Sequence, residues 1–162
     1  MIPDALLDEA ASLLEACRAR GIRLATAEGC TGGLIAGVLT AVAGSSDVLE
    51  RGFVAYSNAA KTELLGVPAE TIAAVGAVSG PVTERMAEAA LQRSHADIAV
   101  AVTGVTGPDG SSVDKPIGLV WFGLAARDQP VFSERQVFPG NRTAVRIAAV
   151  ARTLTLIRGR LR

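Results

Sequence analysis

A carboxylate, a thiol and a hydroxyl stand within four positions at Glu28, Cys30 and Thr31, threaded through Gly29, Gly32 and Gly33. Side chains of these types do acid–base and acyl-transfer work when a fold brings them to one pocket. Their flanks suggest a shape. Leu24-Ala25-Thr26-Ala27 reads as a buried strand, and Leu34 to Leu39 is apolar with helical length. Strand, glycine turn and helix together aim backbone N–H groups at an anion. The spacing is neither G-x-x-x-x-G-K-[ST], because no Lys follows Gly33, nor G-x-G-x-x-G. Glycines that merely supply a positive φ in a strand-to-helix turn would leave much the same pattern.

Other reactive residues cluster elsewhere. Of 16 basic residues, 14 are Arg and only two are Lys, Lys61 and Lys115. Lys, unlike Arg, can lose its proton when buried and act as a base. Both are candidates, against the plainer alternative of two lysines on a solvated face. Gly104-Val105-Thr106-Gly107-Pro108-Asp109-Gly110 forms a second glycine-rich stretch that runs on through Lys115-Pro116. A loop of that length in a compact domain is more often functional than idle. Tyr56-Ser57-Asn58 closes another strand just before Lys61. Arg142 and Arg146 stand four apart at the start of the last helix, on one face. Cations there oppose the macrodipole, a cost that a bound phosphate or an acidic neighbour would offset. A solvated pair of arginines is the alternative.

The elements that position these residues follow from periodicity. Residues 3–20 predict an amphipathic helix, with Leu6, Leu7, Ala10, Leu13, Leu14 and Cys17 on one face. Cys17 on that face reads as inert core. A strand is expected over 22–27, a helix over 31–43, and a strand over 48–57 with Gly52 as a bulge. Asn58 is expected to cap a helix over 59–65, followed by helices over 69–75 and 81–94. Strands over 97–103, 117–126 and 131–138 and a helix over 142–159 capped by Asn141 complete the chain. That order implies an α/β fold, a three-layer α/β/α sandwich with a mixed, mostly parallel sheet. Ligands then bind beyond the carboxyl ends of the parallel strands, where the two glycine loops should be neighbours.

Bulk composition narrows the function classes. A length of 162 residues suggests one domain spanning 1–162, and 49% hydrophobic residues supply an ample core. Zero formal net charge and 4% aromatics argue against nucleic acid and an anionic membrane surface as partners. One histidine and two cysteines in unrelated segments argue against a structural zinc site. The acidic, amphipathic start MIPDALLDEA does not resemble a secretory leader, and a cytoplasmic location is expected. The apolar composition allows a homo-oligomer.

Six segments in order carry a resemblance: A-E-G-C-T-G-G-L-I-A at 27–36, G-F-V-A-Y-S-N-A-A-K at 52–61, L-L-G-V at 64–67, G-A-V-S at 76–79, A-V-T-G-V-T-G-P-D-G at 101–110 and K-P-I-G-L-V-W at 115–121. Over about 22–160 the chain resembles the CinA C-terminal family, which includes stand-alone nicotinamide-nucleotide amidohydrolases. The extra N-terminal molybdopterin-binding-like domain of larger members is not expected here. The resemblance implies hydrolysis of the carboxamide of nicotinamide mononucleotide (NMN) to nicotinate mononucleotide and ammonia, with no cofactor and no metal. The family resembles a Ser/Lys hydrolase whose base is the lysine of Y-S-N-x-x-K, which maps onto Lys61, and whose nucleophile is the serine of A-E-S-C-T-G-G, which maps onto Gly29.

Glycine cannot attack a carbonyl, and a Ser/Lys pair without its serine loses most acyl-transfer chemistry. Three explanations remain open at this stage. Thr31, Cys30, Ser57 or a water activated by Lys61 replaces the serine, with Cys30 gaining thiolate character near a helix N-terminus. Alternatively the chain is a binding or regulatory module, of the competence- or damage-inducible kind, that holds a pyridine nucleotide or another phosphate ester. Or Gly29 is an engineered change that traps substrate. In each case the expected catalytic positions are Lys61, Gly29, Thr31 and Cys30. The expected substrate-binding residues are Glu28, Gly32, Gly33, Tyr56, Ser57, Asn58, Thr103, Gly104, Thr106, Gly107, Lys115 and Arg142.

Overall fold

The computed structural model describes residues 1–161. Helix α1 (Asp4–Ala19) buries Leu6, Ala10, Leu13, Leu14 and Cys17 along one face. Strand β1 (Leu24–Glu28) is buried at every position, as a strand covered on both faces must be. Helix α2 (Leu34–Thr40) is shorter than the expected 31–43. Gly32 and Gly33, at φ 57° and 97°, form a turn ahead of it, and Gly44 at φ 83° follows its end. Strand β2 is Leu49–Val54. Its register against β1 jumps from Leu24↔Leu49 to Ala25↔Arg51, so the bulge lies at Glu50 and not at Gly52. Gly52 answers a different need: a Cβ there would come within 2.7 Å of Thr26 Oγ1.

Three helices follow, α3 (Asn58–Leu65), α4 (Ala69–Val75) and α5 (Gly80–Gln92). The cap of α3 is Ser57, whose Oγ accepts from the Ala60 N–H at 3.0 Å, so Asn58 is the first helical residue instead of the expected cap. Strands β3 (Ile98–Gly104), β4 (Leu119–Ala126) and β5 (Phe132–Val137) lead to α6 (Arg142–Arg160). Asn141 caps α6 by accepting from the Ala144 N–H at 2.9 Å.

The five strands form one mixed sheet in the order β2-β1-β3-β4-β5. β1 is parallel to both neighbours, and β4 is antiparallel to β3 and β5, so four of the five strands share one direction. Alternation along the strands builds two unlike faces. Ile98, Val100 and Val102 of β3 and Val120, Phe122 and Leu124 of β4 pack with α1, α2 and α6. The opposite face carries Ala25, Ala27, Ala99, Ala101 and Ala125 beneath α3, α4 and α5. These small side chains let α5 lie close to the sheet. Gly123 permits the closest approach, since a Cβ there would sit 2.6 Å from the Thr83 carbonyl oxygen.

The bulge residue has its own function. The Glu50 carboxylate accepts from Arg51 Nε at 2.8 Å and from the His95 N–H at 2.9 Å, tying edge strand β2 to the turn before β3. The hydrogen bond from Arg51 holds the Glu50 carboxyl well down, from the usual 4.5 to about 2. The stability this carboxylate contributes is complete above pH 4.5 and disappears as pH falls to about 2. Glu50→Gln should therefore lower the urea midpoint at pH 7, and the gap to the parent should close through that acid range. A gap that stays constant down to pH 2.5 would contradict this.

Candidate functional site

β1 and β3 are parallel neighbours, so the turn after Glu28 and the loop after Gly104 leave the same edge of the sheet. The chain runs from β1 outward to β2 through α2, then back across to β3 through α3, α4 and α5. The strand order thus reverses at β1 and β3, and a crevice opens beyond their carboxyl ends. A cavity of about 300 Å³ occupies it, with Cys30, Tyr56, Asn58, Lys61, Thr103, Gly104, Thr106, Gly107 and Arg142 in its wall. Val105, Asp109 and Gly110 of the same glycine-rich loop line it too, and so do Ala77 and Val78, which are not among the expected site residues. The Ala77 carbonyl accepts from Thr103 Oγ1 at 3.3 Å, which sets the 76–79 loop against the end of β3.

Gly29 lies directly beyond β1, and its N–H donates to the Val102 carbonyl at 2.8 Å. It is not among the glycines at positive φ. A Cβ built there would lie 3.7 Å from Lys61 Nζ, 3.6 Å from Thr103 Cα and 3.1 Å from the Val102 carbonyl oxygen. Position 29 therefore faces the amine. Lys61 comes from the first turns of α3 and is only 3% exposed. Its Nζ donates to the Tyr56 carbonyl at 2.9 Å. Among the described residues no carboxylate pairs with it. Burial without a counter-charge holds this amine below the usual 10.5.

The other groups of the first turn have different surroundings. Glu28 is 1% exposed and faces α2, where it accepts from the Ile35 N–H at 2.8 Å and the Ala36 N–H at 3.0 Å. The anion at this helix N-terminus is thus the protein's own carboxylate, not a ligand. Burial pushes the Cys30 thiol up to about 11, so it stays protonated at neutral pH instead of gaining the expected thiolate character. Thr31 is fully buried, and its Oγ1 has no hydrogen-bond partner among the described residues. Gly32 and Gly33 shape the turn and do not line the cavity. Ser57 Oγ is engaged as the α3 cap.

The two arginines of α6 divide between the two loops. Arg146 donates from Nε to the Cys30 carbonyl at 3.1 Å and from Nη2 to the Thr31 carbonyl at 2.9 Å, so it pins the first turn. Arg142 reaches the cavity. Its Nη1 donates to Thr106 Oγ1 at 2.7 Å and to the Gly107 carbonyl at 2.9 Å, and its Nη2 donates to the Tyr56 hydroxyl at 3.0 Å. Lys115 lies outside the cavity, with Nζ donating to the Val75 carbonyl at 2.7 Å at the end of α4. No cluster of metal-ligating side chains exists among the described residues. A larger apolar hollow of about 480 Å³ between α3 and α4 contains none of Cys30, Lys61 or Arg142.

Comparison with known proteins agrees with this architecture. A sequence model of the CinA C-terminal domain matches residues 7–161. The chain is 51% identical over 139 residues to the nicotinamide-nucleotide amidohydrolase PncC of Enterobacter agglomerans, covering 86% of this chain and 85% of that one. The crystal structure of a competence/damage inducible protein, CihA, from Agrobacterium tumefaciens superposes with a TM-score of 0.95 at 43% identity, over 98% of this chain and 97% of the other. A competence damage-inducible protein A from Klebsiella pneumoniae superposes at 0.92 with 38% identity, over 96% of each chain. Among the described residues no helix is long and apolar enough to cross a membrane.

Proposed function

Because this chain belongs to the CinA C-terminal domain family, we propose that its crevice binds NMN and that carboxamide hydrolysis there is slow, for want of a hydroxyl at position 29. In this reading the nucleotide phosphate lies at Arg142 and the 104–110 loop, and the carboxamide carbon lies between Gly29 and Lys61. The observation that carries it is the 3.7 Å separation between the Gly29 Cβ position and Lys61 Nζ, where Lys61 lines the same cavity as Arg142 and Gly29 lies just behind the Cys30 wall. The loop adds backbone donors: among the described residues, the N–H groups of Gly107 and Gly110 have no protein acceptor. A relative that is 51% identical over 139 residues bears the name nicotinamide-nucleotide amidohydrolase.

The chemistry follows from the groups present. Neutral Lys61 Nζ takes a proton from a hydroxyl or a water beside Gly29, the oxygen adds to the carboxamide carbon, and the proton passes to the departing ammonia. With glycine at 29 the attacking oxygen is water's, which is not held by a covalent tether, so the step loses effective molarity. Binding does not depend on that hydroxyl. Gly29 itself therefore favours a second outcome, a protein whose role is to hold the nucleotide. Calorimetric titration with NMN beside an ammonia-release assay tests both. Absence of NMN binding would overturn the proposal, and binding with turnover typical of a fast hydrolase would overturn the slow-hydrolysis part.

Arg142→Ala should weaken NMN binding about ten- to hundredfold, the effect of losing a charge-assisted hydrogen bond to phosphate. The remaining affinity should depend less on salt. Calorimetry at two ionic strengths checks this, and unchanged affinity would move the phosphate away from α6.

A further inference from the structure

We propose that Lys61 is also a nucleophilic amine, set in the wall of the crevice, that condenses with the aldehyde of a small phosphate-bearing carbonyl compound to give a Schiff base. The amine half of this inference stands on the geometry of Lys61 alone, and the phosphate half rests on the role given to Arg142 above.

Three observations converge on Nζ. Its one hydrogen-bond partner among the described residues is the Tyr56 carbonyl, which engages an N–H and leaves the lone pair of the neutral amine uncommitted. No carboxylate holds it as an ammonium among the described residues. Position 29, directly beyond β1, has no side chain, and the position a Cβ would take is 3.7 Å away. A hydroxyl there would hydrogen-bond the amine and engage its lone pair. Glycine leaves that lone pair free. Burial lowers the amine's pKa, which raises the fraction able to attack at neutral pH. The Cys30 thiol, held protonated, does not compete for the carbonyl.

The step balances without a further reagent. The Nζ lone pair bonds to the aldehyde carbon, and one proton passes from nitrogen to oxygen to give a carbinolamine. Loss of water then leaves a C=N bond between ligand and Lys61, with no oxidation or reduction. The cavity of about 300 Å³ lies at the small end of ligand sites, which suits one ring with a phosphate arm. Arg142 in the same wall supplies a cation for that arm.

The chain suits a direct test because it has only two lysines. The folded protein is incubated at pH 7 with pyridoxal 5′-phosphate or with pyridoxal, reduced with borohydride, and digested for peptide mass spectrometry. Lys61 should carry the reduced adduct at least about tenfold faster than Lys115, and Gly29→Ser should slow labelling of Lys61 while leaving Lys115 unchanged. Labelling confined to Lys115 and the α-amine, or a Lys61 rate no faster than that of Lys115, overturns the proposal. Equal rates on Lys61 for the two probes overturn the phosphate half. If NMN still binds by calorimetry while Lys61 stays unlabelled, this inference fails and the nucleotide-site reading does not.

Discussion

Gly29→Ser should raise ammonia release from NMN by about 10³-fold or more, since loss of a catalytic serine costs hydrolases more than that. The structure removes the chief conformational obstacle, because Gly29 is not at positive φ and serine fits its backbone without left-handed strain. With Cβ 3.7 Å from Lys61 Nζ, a rotamer pointing at the amine brings Oγ within hydrogen-bond reach, about 2.6–3.2 Å. The tight contact is the Val102 carbonyl oxygen at 3.1 Å, which must give by a few tenths of an ångström. Lys61 then accepts the hydroxyl proton. Because the neutral amine is the base and burial holds it below the usual 10.5, the rate should rise with pH and level off before that value. The measurement compares the parent, Gly29→Ser, and Gly29→Ser combined with Lys61→Ala. The double variant should fall to the parent's rate or below it, since it lacks the base that the parent retains. Parent turnover equal to that of Gly29→Ser would mean that the native chain uses another nucleophile. A folded but inactive Gly29→Ser would favour the binding role.

The residues that organise the site differ in how far sequence alone could assign them. Helix identities followed from periodicity because each helix buries one face, and the central strands read as continuous apolar runs because helices cover both faces of the sheet. The pairing of the two glycine loops followed from parallel strands having their carboxyl ends on one side. The rarity of Lys drew attention to both lysines, yet Lys61 is buried facing Gly29 while Lys115 closes the end of α4 on the Val75 carbonyl. Composition cannot separate these, since each lysine satisfies a backbone carbonyl and the difference is three-dimensional. Arg142 and Arg146 share spacing and helix but face different loops, one at the β3 end and one at the β1 turn. The Gly76–Ser79 loop carries no reactive side chain pattern, and only the resemblance of its G-A-V-S segment marks it. Ala77 and Val78 line the cavity through a contact with Thr103 that no periodicity reveals.

Glu28 is the residue whose role shifted most between pattern and structure, and its removal should give the largest loss of stability. The motif of strand, glycine turn and helix predicts donors that await an anion, and the pattern cannot say whose anion it is. Here the carboxylate ending β1 turns back to the N–H groups of Ile35 and Ala36. Glu28→Ala leaves the buried Ile35 and half-buried Ala36 donors without their acceptor, each costing about 1–3 kcal/mol, and adds a void where the side chain stood. The donors alone come to about 2–6 kcal/mol, and a loss of about 3–5 kcal/mol, within that range, should be measured as a shift in urea unfolding at pH 7. Glu28→Gln should lose less, because the amide keeps one acceptor while turning an NH2 toward the second donor. The effect should reach the site as well: the 28–33 turn is fixed by Glu28 on one side and by Arg146 holding the Cys30 and Thr31 carbonyls on the other. Releasing the Glu28 side lets Gly29 move relative to Lys61, so adding Glu28→Gln to Gly29→Ser should lower turnover more than NMN affinity. A Glu28→Ala protein less than about 1 kcal/mol weaker than the parent would mean that the α2 donors find other acceptors, and that the turn is held by Arg146 alone.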